Sequence, residues 1–171
     1  MLNHLSLLTP IAAALAILGL GAPSQAQEQG EVVSRFSSIW PHDCTVTGDG
    51  SPLGEDWLHY RCEGQGGIPV FLFFSDGVRL SLGFGDRTAR FMGYRADREQ
   101  NWPVEWRGRI VNGRFVPHAA IARMKTHPED GGTGGSELVV FGLSRPACVL
   151  GEVRGRGAND EARRLADRGR C

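Results

Sequence analysis

An α+β fold, a mainly antiparallel β-sheet built from hairpins with a C-terminal α-helix, follows from three features of the chain. The dipeptides Asp76-Gly77 and Asn112-Gly113 each lie between apolar runs, the strongest short signal for an antiparallel hairpin. Glycine is abundant, 24 of 171 residues, as a chain with many tight turns requires. Only the last segment carries helix punctuation: Asn159 as N-cap, Asp160 and Glu161 in the first turn, then Arg163, Arg164 and Arg168, with Gly169 at C′.

Residues 31–40 read as a short lead-in. Residues 44–47 form a first short strand, 48–56 a turn-rich loop, and 57–62 a second strand that Gly64, Gly66 and Gly67 break. Residues 68–74 and 78–84 make the first hairpin, Asp-Gly supplying the positive φ values of a type I′ turn. In its second arm Val78, Leu80, Leu82 and Phe84 share one face, and Arg79, Ser81 and Gly83 take the other. The first arm is apolar on both faces near its end and belongs in the middle of the sheet.

The second hairpin joins 104–111 to 114–116 across Asn112-Gly113, and its returning arm continues through 119–124. Val104, Trp106 and Ile110 face one side; Glu105, Arg107 and Arg109 face the other. Residues 85–102 are polar and hold at most a short helix, and 125–136 form a long mobile loop. Strands are expected at 137–143 and 147–153. The closing helix shows a narrow apolar stripe, Ala162, Leu165 and Ala166, and is too short to persist without docking.

The N-terminus has the layout of a secretory signal peptide. Residues 5–22 are one uncharged apolar run, small residues follow to Ala26, and a polar stretch opens at Gln27. The competing reading is an uncleaved anchor, for which the run is near the lower length limit. Cleavage after Ala26 leaves 27–171 as a single disulfide-stapled domain, with no cysteine near the cut to carry a lipid. The expected location is therefore periplasmic or secreted, with no membrane contact after cleavage. The 19 basic and 19 acidic residues cancel and form no block of like charge, so no footprint for nucleic acid or a membrane surface is present.

Export places Cys44, Cys62, Cys148 and Cys171 in an oxidising compartment, where an even count reads as disulfides. Of the three pairings, Cys44–Cys62 and Cys148–Cys171 are favoured because each joins neighbouring elements. Each closed loop would add on the order of 3 kcal/mol in the chain-entropy model. A zinc site lacks the paired C-x-x-C spacing it needs. A catalytic thiol is the other alternative, since His42 stands close to Cys44.

Motifs for chemistry are missing. The runs 64–67 and 131–135 are glycine-rich but precede strands and lack Gly-Lys-Ser/Thr, so neither is a phosphate loop. The histidines form no H-E-x-x-H pattern, and no G-x-S-x-G occurs. No catalytic residue, metal ligand or cofactor is assigned. The polar cluster with most interest is Glu105 and Arg107 with Arg109, next to Trp102, which can form a ladder with Arg79 or a face for a partner. A solvated face with cross-strand ion pairs is the plainer reading. Trp40, Trp57 and Trp102 flank loops and are candidate anchors.

Cys44, Arg61-Cys62-Glu63-Gly64, Gly67-Ile68-Pro69-Val70, Glu105-Trp106-Arg107, Ala120-Ile121-Ala122-Arg123 and the ending through Ala162-Arg163 to Cys171 resemble a group of small exported disulfide-containing proteins of Gram-negative bacteria, a family of unknown function. That resemblance implies fold, export and disulfides. Tyr60-Arg61-Cys62 ahead of a hairpin is similar to the opening strands of periplasmic lysozyme inhibitors, whose Ser/Gly-rich inhibitory loop is absent here. The sequence thus predicts an exported protein that acts by binding, inhibitor-like, with an envelope protein or a glycan as partner. The alternatives are a small cell-envelope hydrolase with an unsignalled site and a structural envelope protein.

Overall fold

The computed structural model describes residues 30–76, 79–85, 90–94, 101–126 and 135–171. The expected signal peptide, the residues Gly77 and Val78 and the centre of the 125–136 loop lie outside them. Among the described residues ten strands, β1 (Val32–Ile39), β2 (Thr45–Asp49), β3 (Leu58–Glu63), β4 (Pro69–Phe74), β5 (Arg79–Phe84), β6 (Arg90–Tyr94), β7 (Trp102–Val111), β8 (Arg114–Thr126), β9 (Gly135–Gly142) and β10 (Cys148–Val153), precede one α-helix, α1 (Ala158–Arg168). Every pairing is antiparallel. The α+β class holds, but the strands divide between two sheets rather than one: β1-β7-β8-β9-β10 and β2-β3-β4-β5-β6.

The two sheets bury their inner faces against each other. Val70, Leu72 and Phe74 of β4 and Leu80, Leu82 and Phe84 of β5 meet Trp102, Val104 and Trp106 of β7 and Val139 and Phe141 of β9 in one core. Trp106 is fully buried at its centre. Phe84 stands edge-on to it at 5.4 Å, and its indole N–H donates to Ser37 Oγ at 2.8 Å, so its one polar atom is satisfied. Residue 64 must be glycine for this packing, because a Cβ there would lie 2.5 Å from the Trp106 ring. β4 is the middle strand of its sheet, as its two apolar faces predict.

Five expectations need correction. Residues 31–40 are not a lead-in: they form β1, an edge strand paired along β7 from Val32↔Arg109 to Ile39↔Trp102. The polar stretch 85–102 contains a strand, β6, paired with β5. The first hairpin has the register Phe74↔Leu80, with Ser75 N–H donating to Arg79 O. That leaves one residue more than a type I′ turn holds. The Asn112-Gly113 turn does fit type I′, with φ of 51° and 75° between the paired Val111 and Arg114. Ile110 shares the parity of Trp106 but is 43% exposed, since β7 runs past the end of the core.

The fifth correction concerns the helix. Its N-cap is Gly157, in the left-handed region at φ 78°, and Asn159 lies inside the first turn. Gly169 is extended, so a left-handed C-cap is not its role. Its role is close approach: a Cβ there would meet Leu150 at 2.6 Å and the Leu165 carbonyl at 2.7 Å. Ala162 and Ala166 bury their small faces on Ala119, Ile121, Leu138 and Val140, so α1 lies tight on the outer face of the first sheet. Among the described residues no helix is long and apolar enough to cross a membrane.

Both favoured disulfides are present. Cys44–Cys62 ties the start of β2 to β3 with Cα atoms 4.5 Å apart, and Cys148–Cys171 ties β10 to the chain end beyond α1 at 5.6 Å. Cross-links of this kind fit an oxidising compartment. The described cysteines leave no free thiol, which removes the catalytic-thiol alternative.

Candidate functional site

Pro117 creates the site. A proline inside a strand has no N–H for the ladder, so the strand must bulge. Arg107 opposes Ala119 and Gly108 opposes Pro117, which leaves His118 as the extra residue on β8. The bulged backbone is held by Leu143 N–H donating to His118 O at 3.0 Å. His118 thus sits where β7, β8, the β9–β10 connection and the end of α1 converge.

Asp167, in the last turn of α1, faces it. Arg107 donates Nε to Asp167 Oδ1 at 2.9 Å and Nη2 to Oδ2 at 2.6 Å, a two-pronged charge-assisted pair. Asp167 Oδ1 lies 3.6 Å from His118 Nε2, too long for a full hydrogen bond, and Nε2 is a buried atom with no other partner. Burial lowers the His118 pKa first. Asp167 opposes that shift, while Arg109 and Arg107 reinforce it, so the imidazole stays neutral at neutral pH. Burial acts to raise the Asp167 carboxyl, but the hydrogen bond and charge of Arg107, with His118 adding to them, hold it below its ordinary value.

The pair belongs to a longer network under α1. Arg107 Nη1 donates to Ser34 Oγ at 2.6 Å, and Ser34 donates to Glu105 Oε1 at 2.5 Å. Arg163 Nε donates to the same oxygen at 2.7 Å. Glu105 and Arg107 are therefore brought together, as residues of one strand face, but helix α1 covers that face and engages both. Arg79 is placed on the other sheet, paired with Asp76, and Trp102 is buried in the core against Phe74. Trp40 and Trp57 are half-buried and lie against His42 and His59.

A cleft of about 500 Å³ opens beside the His118–Asp167 pair. Val111, Val116, Pro117 and Leu143 give it apolar walls, and Arg109 and Arg170 line it with positive charge. A second concavity of about 410 Å³ lies at the other end of α1 and holds Arg123, Arg154 and Arg163. Those arginines already have partners within the fold: Ser136 and Asn159, Glu137, and Glu105 with Asp160. The first cleft is the better candidate, because it combines apolar walls with the exposed Arg170 and has His118 and Asp167 at its edge, while Arg109 in its lining also donates to the Gly30 carbonyl.

Sequence reasoning did not reach His118 or Asp167, nor Arg170. The usable signal was Pro117 inside an otherwise continuous strand. Among the described residues no group of three or more His, Cys, Asp or Glu is placed to hold a metal ion. No family model, no curated protein and no solved structure matches the chain.

Proposed function

We propose that the protein is an exported binding module whose recognition site is the cleft between the β7–β8 hairpin and the end of α1. The observation that carries this reading is the cleft itself: a small-molecule-sized hollow with apolar walls, two arginines and a neutral imidazole at one edge. The Cys148–Cys171 disulfide and the docked helix hold the α1 side of the cleft, which suits a site that is formed before its ligand arrives. The N-terminal layout supports export, and an envelope molecule is the expected class of partner.

A second reading, a small envelope hydrolase, is favoured by one feature, the carboxylate beside a neutral histidine. That is the arrangement of an oriented general base. It ranks second because Arg107 already engages both oxygens of Asp167, and among the described residues no hydroxyl or thiol is hydrogen-bonded to His118.

Native mass spectrometry of the protein purified from periplasmic extract separates the two. The expected result is a small molecule released intact and absent from Val116→Asp. Turnover of ester, amide or glycoside substrates that disappears in both His118→Gln and Asp167→Asn would overturn the binding reading in favour of the hydrolase.

A further inference from the structure

We infer that the cleft takes a small amphiphilic monocarboxylate, an anionic head joined to a short apolar arm; this rests on the binding reading above. Three features converge on that class. Among the described residues the lining carries Arg109, which also donates to the Gly30 carbonyl, and Arg170, and its one carboxylate, Asp167, is paired by Arg107. Arg170 is exposed and offers the lining a guanidinium towards a ligand, and guanidinium groups match a carboxylate in geometry as well as charge.

The walls supply the second feature. Val111 and Val116 are 49% and 50% exposed, large apolar side chains at the surface of a cleft that also holds Pro117 and Leu143. A purely polar anion would leave them wet; a ligand with an apolar arm covers them, at about 25 cal/mol for each Å² removed from water. The third feature selects a single negative charge. Asp167, though paired by Arg107, keeps 28% of its side chain exposed within the lining, and what remains of its field weighs twice as heavily on a dianion as on a monoanion. The volume suits a molecule and not a polymer chain, being within the usual range for small-ligand sites.

The experiment uses three probes on the full exported protein: octanoate, 1-octanol and inorganic phosphate. Backbone amide shifts are followed by NMR. Octanoate should saturate shifts at Val111, Val116, Leu143 and Ser144, with the other two probes at least about tenfold weaker. Arg170→Gln, at an exposed position next to the chain end, should weaken octanoate about threefold, the scale of one exposed charge pair. Octanol binding as tightly as octanoate would overturn the anionic head and leave the cleft as a binding site. Phosphate binding as tightly would overturn the apolar arm. No shift at the cleft with any probe would overturn both this inference and the binding reading beneath it.

Discussion

Arg107 and Asp167, sixty residues apart in sequence, join the middle of β7 to the last turn of α1 through two parallel N–H···O bonds of 2.9 and 2.6 Å. The Arg107 side chain is only 12% exposed, so this pair is screened far less than a surface ion pair. Arg107→Lys keeps the charge and loses the fork. The expected loss is about 1–2 kcal/mol in urea unfolding, with a smaller further loss in the Arg107→Lys/Asp167→Asn double variant than the two singles would sum to. Additive singles would show that the pair does not act as a unit.

His118 gives a pH signature with a fixed sign. Its folded-state pKa lies below the ordinary 6.5, with burial the first cause. An unfolded chain therefore takes up a proton that folded His118 still refuses, and stability falls as pH drops below the ordinary 6.5 towards the lower folded value. Asp167 adds a contribution of the same sign at lower pH. Its depressed carboxyl contributes stability above its ordinary 3.8, lost as pH falls towards its folded value. In an NMR titration His118 should have a midpoint below 6.5, moving lower still in Asp167→Asn because the favourable carboxylate charge is gone. A midpoint unchanged by that substitution would show that the two groups do not sense each other.

The pattern of what could be read in the sequence follows the range of the interactions. Asn112-Gly113 needs only local φ preferences, and β4 and β5 need only local alternation, so both hairpins were legible. β1 was not. Its sequence VVSRFSSI breaks alternation, and Phe36 stays 65% exposed, because an edge strand takes its order from the ladder with β7 and not from its own pattern. β6 is a five-residue strand bordered by charged sequence, with the same difficulty. The cysteine pairing was accessible because each bond closes a short loop between elements already adjacent. Arg107, His118 and Asp167 are adjacent only once β7, β8 and α1 are packed, and nothing local to any of them announces the other two.

Cys148–Cys171 should hold α1 selectively. The helix has 11 residues, too few for stability on its own, and Cys171 Sγ lies over Gly142, where a Cβ would come within 2.5 Å of it. Replacing both cysteines with alanine should cost about 3 kcal/mol and open the α1 amides to hydrogen exchange ahead of the β4 and β5 amides. The Cys44→Ala/Cys62→Ala variant should lose similar stability with α1 still protected. Equal α1 exchange in the two variants would mean that packing on Ile121 and Val140, not the disulfide, holds the helix.

Glu137 and Arg154 make a pair whose two halves differ in burial. Glu137 on β9 is 1% exposed, while the side chain of Arg154 is 64% exposed and donates Nε to Glu137 Oε2 at 2.5 Å. Removing the arginine strands a carboxylate inside the fold; removing the carboxylate frees an arginine that water can solvate. Arg154→Ala should therefore be the more destabilising of the two, and Glu137→Gln, which keeps shape and a hydrogen-bonding group, the milder. Chemical denaturation of the two variants at neutral pH measures both. The reverse order would show that the arginine charge, and not the buried carboxylate, is the member that needs its partner.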